Sequence, residues 1–288
     1  MKRATVFIGA LGLILAISAG ANSAEMVWDG GDGLWYSNSW NGGGATPNMN
    51  GTDSAVINDG TVTYVPGGDL VTLPGSNLTI NSGGEWKQTT SNWARINGGL
   101  TLDGGTLSRT AGGNLAFGSD NTGANTTIDI AINHGGTLNH NGELWFGWHN
   151  NATPSNLTVN MTIDEGTVSA LGGGGASWWL WDDDVAGIDY NINFEGPGEI
   201  ILGAAGIRPE SAGGKVDFET LWDMGILQAF GESGLTGANF TDFFETTGTP
   251  NDNGYTLTSF IPVPEPSTLA LACLGLIGLC AHMIRRKK

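Results

Sequence analysis

Leu100-Thr101-Leu102-Asp103-Gly104-Gly105-Thr106-Leu107 is an alternating apolar and polar run that breaks at two glycines and resumes. Alternation at period two is strand geometry: Leu100 and Leu102 share one face, Thr101 and Asp103 the other. The pattern recurs as Leu78-Thr79-Ile80 before Gly83-Gly84, Ile128 to Ile132 before Gly135-Gly136-Thr137-Leu138, Val159 to Ile163 before Gly166-Thr167-Val168, and Tyr190 to Phe194 before Gly196-Pro197-Gly198. The glycines at 84, 105, 136, 166 and 198 lie 21, 31, 30 and 32 residues apart. Each unit also begins with an apolar or aromatic patch: Leu115-Ala116-Phe117-Gly118, Leu144-Trp145-Phe146-Gly147 and Trp178-Trp179-Leu180-Trp181.

A single unit of this size cannot bury its own apolar face. Stacking covers that face and lets each interior strand hydrogen-bond to the coils above and below. The paired glycines are expected to supply positive φ at the corners, where a side chain costs on the order of 1 kcal/mol or more. The reading is an all-β chain, a parallel β-helix or solenoid over residues 25–204, with about 20 to 32 residues per coil. A β-sandwich is the rival, because short strands with glycine turns describe it too. The opening run, Trp28-Asp29-Gly30-Gly31-Asp32-Gly33-Leu34-Trp35 to Trp40-Asn41-Gly42-Gly43 and then Asp53 to Val65, resembles the start of secreted bacterial β-solenoid proteins with autotransporter-type repeats.

Beyond residue 205 the period changes. Apolar residues at 218, 221, 222, 226 and 227 follow helical spacing, Asn239 to Phe244 reads as a second short helix, and Tyr255 to Phe260 as a final strand. An open solenoid end exposes apolar core and unpaired strand backbone, so residues 205–261 are read as a small α/β cap.

Of 288 residues, 48 are glycine and 10 proline, which discourages a helical bundle, while 40% hydrophobic residues and 11 tryptophans suffice for a core. Eleven basic against 28 acidic residues give a net charge of -17. Six of the bases lie at the two ends; between them stand Lys87, Arg95, Arg109, Arg208 and Lys215 against 27 acids, close to -22. Nucleic acid is excluded as a partner, because phosphate binding needs clustered Lys and Arg.

The ends address the chain. Lys2 and Arg3, an apolar stretch from Val6 to Ile17 and small residues through Ala24 have the layout of a secretory signal peptide over residues 1–24. At the other end Val263-Pro264-Glu265-Pro266-Ser267 precedes an apolar run holding Leu269, Leu271, Leu274, Leu276, Ile277, Leu279 and Ile284, closed by Arg285, Arg286, Lys287 and Lys288. Sixteen residues from 269 to 284 make a helix of roughly 24 Å, which snorkelling bases extend across a membrane of about 30 Å. The basic cluster should stay cytoplasmic and leave the main domain outside. These residues resemble the PEP-CTERM sorting signal of certain bacteria, here over residues 262–288. The resemblance implies export, transient membrane tethering and exosortase processing near the Pro-Glu-Pro motif, with release or attachment at the cell surface. It also implies an association with extracellular polysaccharide or matrix. Both cysteines, Cys273 and Cys280, fall in the tail helix and read as apolar filler, leaving the exported domain without thiols.

Few residues invite chemistry. Asp182-Asp183-Asp184 is the sharpest acidic cluster and a weak Ca²⁺ candidate, lacking EF-hand spacing and better read as a solvated turn. His134, His140 and His149, with Glu143 between, are expected at exposed turns. No nucleophile elbow, zinc-protease, P-loop or dinucleotide motif occurs. No metal, cofactor or catalytic residue is assigned, and the expectation is a structural protein without enzyme activity. Two alternatives stand beside it: a polysaccharide-binding module that stacks sugars on Trp145, Trp148, Trp178, Trp179 and Trp181, and a polysaccharide lyase or glycoside hydrolase on a β-helix. The tryptophans also suit interior ladders, but Trp178 and Trp179 are consecutive in a strand and must face opposite ways.

Overall fold

The computed structural model describes residues 24–260 apart from 38, 42–45, 52, 66–68, 120–124, 149–155 and 173. The expected signal peptide, residues 1–24, lies outside the described residues except for Ala24, which opens the strand Ala24–Asp29, and the expected membrane-crossing sorting tail, residues 262–288, lies wholly outside them. Among the described residues no helix is long and apolar enough to cross a membrane.

The chain winds as a column with three strand-lined faces. Asn77–Asn81, Gly99–Asp103, Thr126–Asn133, Leu157–Asp164 and Ile188–Phe194 pair in parallel on the first face. Gly84–Gln88, Thr106–Arg109, Thr137–His140, Thr167–Ala170 and Gly198–Leu202 do so on the second. Leu70–Thr72, Ala94–Ile96, Leu115–Phe117, Leu144–Phe146, Trp178–Leu180 and Ile207–Pro209 form the third. Each coil contributes one strand to each face. The long strand Asp53–Tyr64 bends from the first face to the second within the opening coil.

Register explains the sequence period. Trp86 pairs with Leu107, Leu107 with Leu138, Leu138 with Val168 and Val168 with Ile200, at the same 21, 31, 30 and 32 residue steps as the corner glycines. These side chains are fully buried, as is the parallel row Leu78, Leu100, Ile130, Met161 and Ile192 on the first face. Like sits on like along the column, so each coil's apolar surface is covered by the next.

The corner glycines do two different jobs. Gly83, Gly104 and Gly135, the first of each pair, take φ of 92°, 71° and 81°. The second of each pair does not; it is glycine because the preceding coil passes too close. A Cβ at Gly84 would sit 2.6 Å from the Ile57 carbonyl oxygen and one at Gly166 2.6 Å from that of Ile132, and at Gly105 and Gly136 the clash with Ile80 and Leu102 is tighter still. Where the first glycine is replaced, Glu165 itself adopts φ 58°. The expected positive φ therefore belongs to one residue of the pair only.

Both ends are closed. At the start, Trp28, Trp35 and Trp40 are buried and meet edge to face, Trp28 to Trp40 at 5.3 Å and Trp35 to Trp40 at 5.0 Å. At the far end the helix Phe218–Asp223 is shorter than its spacing suggested. Asp217 caps it through the Thr220 amide, and Met224 ends it. Leu227, expected on that helix, instead lies in the strand Leu227–Ala229, which pairs in parallel with Ile192–Phe194 and extends the first face. Ile207–Pro209 likewise extends the third face past residue 204. Asn239–Phe244 forms only a turn of 3₁₀ helix at Phe240–Asp242. The final strand Tyr255–Ser259 runs antiparallel to Gly198–Leu202, with Phe244–Thr247 beyond it. Reversing the strand direction ends the parallel stack, and buried Phe218, Leu221, Trp222, Phe240 and Phe244 cover the core beneath.

Candidate functional site: an aromatic stripe on the third face

Third-face strands are three residues long, and their alternation sends the middle residue outward. In register, those middle residues are Val71, Arg95, Ala116, Trp145, Trp179 and Arg208. Trp93, just before its strand, and Trp148 and Trp181, just after theirs, join the row. The inward partner of Trp179 is Trp178, which is 1% exposed and packs against Phe146 at 5.4 Å. The consecutive tryptophans thus face opposite ways, one in the core and one on the wall.

The outer indoles form one contiguous, half-buried surface. Ala116 lies between the Arg95 and Trp145 registers and is fully buried, so the rings of Trp93 and Trp145 meet across it at 5.0 Å. Trp148 touches Trp93 at 4.7 Å and Trp145 at 5.6 Å; Trp145 reaches Trp181 at 5.5 Å; Trp179 and Trp181 stack at 5.0 Å with planes only 16° apart. Guanidinium groups sit at both ends. Arg95 lies 5.3 Å from the rings of Trp93 and Trp148, and Arg208 4.8 Å from that of Trp179. Arg95 also pairs with Asp69 at 3.3 Å.

Trp145 Nε1 donates to Glu143 at 2.9 Å, and the other oxygen of Glu143 accepts from the Gly175 amide at 2.7 Å. The Nε1 atoms of Trp179 and Trp181 are buried. What Trp179 and Trp181 show to the outside is therefore not their N–H edge, and the wall can offer ring carbon for stacking.

The other expected candidates separate. Asp183 accepts from the backbone and hydroxyl of Ser211 on the following coil, and the Asp182 amide donates to Glu210 at 2.9 Å. Asp184 is exposed. Among the described residues no three His, Cys, Asp or Glu converge to hold a metal ion. His134 sits at an exposed first corner and bonds Asp103 of the preceding coil at 2.5 Å, a contact that raises its pKa. His140 corrects the expectation of an exposed turn. It is fully buried, in register with Arg109, and its Nε2 lies 3.0 Å from the Glu143 carbonyl. Burial, with Arg109 adding to it, lowers His140 to about 3. Arg109 is 1% exposed; its Nε donates to Gln88 at 2.7 Å and Nη2 to the Asn92 carbonyl at 2.5 Å, and burial lowers it to about 10. Gln88, Arg109 and His140 form a polar stack inside the column, remote from solvent. His149 and the residues from Pro264 onward lie outside the described residues.

Trp93, Arg95 and Arg208 were missed as members of the stripe. The signal was present: Ala94-Arg95-Ile96 occupies the same place in its unit as Leu144-Trp145-Phe146 does in a later one, with Trp93 just before it.

A family model described as the PEP-CTERM protein-sorting motif matches residues 262–287. The chain carries that motif, which marks an exported protein sorted by an exosortase. No curated protein and no solved structure gives a match to the chain.

Proposed function

We propose that this is an exported cell-surface or extracellular-matrix protein, tethered through its sorting tail, that holds extracellular polysaccharide against its third face and catalyses no reaction. The observation that carries the reading is the outer stripe of Trp93, Trp145, Trp148, Trp179 and Trp181, half-buried on the side of a closed column. Solvent-facing indoles lose apolar hydration when a sugar ring covers them, and a rigid sheet loses little conformational entropy on binding. The capped column supplies the rigid support, and the PEP-CTERM motif supports the extracellular address. Processing near Pro264-Glu265-Pro266 would then free the column or pass it to the surface.

Two experiments test this. Cells expressing the chain with and without residues 262–288 are fractionated, and loss of membrane association is expected on truncation. The full chain and its Trp179→Ala variant are then compared by pull-down on insoluble glycans. The variant should be retained more weakly; equal retention removes the third face from the reading.

A further inference from the structure

We infer that the polymer held on the third face is an uncharged polysaccharide lying along the column axis; this rests on the reading just given and narrows it to one chemical class. Direction follows from register. Arg95, Ala116, Trp145, Trp179 and Arg208 are consecutive partners up the face, so four strand steps of about 4.8 Å spread the two arginines roughly 19 Å apart along the axis. The indoles between them make one surface long enough for several successive sugar rings.

Charge decides between a neutral and an acidic chain. Arg95 is neutralised by Asp69 and lies against Trp93 and Trp148, while Arg208 lies over the face of Trp179 and keeps its charge. Against them stand Asp69 and Glu143 within the stripe and Asp183 and Glu210 on the turns that follow Trp181 and Pro209. Beyond a screening distance of about 8 Å the remaining surface matters less. The whole chain between its termini, with 5 bases against 27 acids, adds no attraction for a polyanion. A uronate-rich chain would meet four carboxylates, Asp69, Glu143, Asp183 and Glu210, against the one guanidinium of Arg208 that no carboxylate neutralises, so repulsion outweighs attraction. An uncharged chain meets ring carbon and loses nothing to charge.

The test is native affinity electrophoresis of the full chain in detergent through gels containing either a soluble neutral β-glucan or polygalacturonate, at low and high salt. Retardation by the neutral polymer is expected, unchanged by salt, together with free migration in polygalacturonate. Trp145→Ala and Trp179→Ala should each weaken the retardation about tenfold, as loss of an aromatic stacking contact would. Melting midpoints verify that the variants fold. If Trp179→Ala does not, Trp179→Phe in the same gel should give intermediate retardation. Retardation by polygalacturonate that salt relieves, alone or equal to that by glucan, overturns the inference but leaves a polysaccharide-binding face. Free migration in both gels overturns that face as well.

Discussion

The first and third faces use the same geometry for opposite ends. On the first, the outward positions carry Asp129, Asn160, Asn191 and Gln228, in which Asn160 donates to Asp129 at 2.9 Å, Asn191 to Asn160 at 3.0 Å and Gln228 to Asn191 at 3.2 Å. On the third, the outward positions carry Arg95, Ala116, Trp145, Trp179 and Arg208. Inward, both faces hold buried aliphatic and aromatic side chains in register. The interior is set by packing. The polar ladder satisfies its own hydrogen bonds from coil to coil and asks nothing of a partner, whereas the indole row leaves apolar ring in solvent.

Substitutions can break this contrast, and the largest effect should come from turning outward and inward residues against each other. Trp178→Ala should cost about 3–5 kcal/mol, because it opens a cavity in a close-packed core. Its outward neighbour Trp179→Ala should cost about 1 kcal/mol or less in urea unfolding. Similar losses for the two would mean that the outer stripe is core in all but position.

The next effect is acid sensitivity, which the polar interior introduces and the aliphatic rows do not share. His140 holds a pKa of about 3 in the column, below its ordinary 6.5. The unfolded chain therefore takes up a proton that the folded chain refuses. Stability is complete above about pH 6.5 and falls toward pH 3 by up to ~1.4 kcal/mol per pH unit. In His140→Gln the fall between pH 6.5 and 4 should be shallower than in the unsubstituted protein; parallel curves would show that this imidazole does not titrate across folding.

Corner substitutions come third. Gly136→Ala forces a Cβ onto the Leu102 carbonyl and should cost about 1–3 kcal/mol. Glu165→Gly removes a left-handed non-glycine residue and should gain about 1 kcal/mol. Equal and small changes at both would erase the division of labour within the glycine pairs. The smallest expected effect is on the polar ladder: Asn160→Ala, losing solvent-flanked hydrogen bonds, should cost under about 1 kcal/mol and leave glycan retention unchanged.

Much of the column was legible because a buried strand on a repeating support must alternate and must repeat. Leu107, Leu138, Val168 and Ile200 sit at the spacing that the corner glycines announced. The third face was harder to read. Ala94–Ile96, Leu115–Phe117 and Leu144–Phe146 are three residues each, too short for alternation to declare itself. Nor does a one-dimensional pattern reveal which residues meet across a missing layer, as Trp93 and Trp145 do over Ala116. The helical pattern runs past the true helix end because Ile226 and Leu227 keep helical spacing while their packing serves a strand. His140, a polar residue beside Asn and Gly, reads as a turn in the sequence, and only its register with Arg109, itself paired with Gln88, shows an interior stack.

Oxidative footprinting of the full chain, free and bound to a soluble neutral glucan, tests the role of the third face most directly. Trp145, Trp148, Trp179 and Trp181 should lose reactivity on binding, while Tyr36 and Phe230, exposed near opposite ends of the column, keep theirs. Protection centred on Tyr36 or Phe230, with the four indoles as reactive as before, would contradict it.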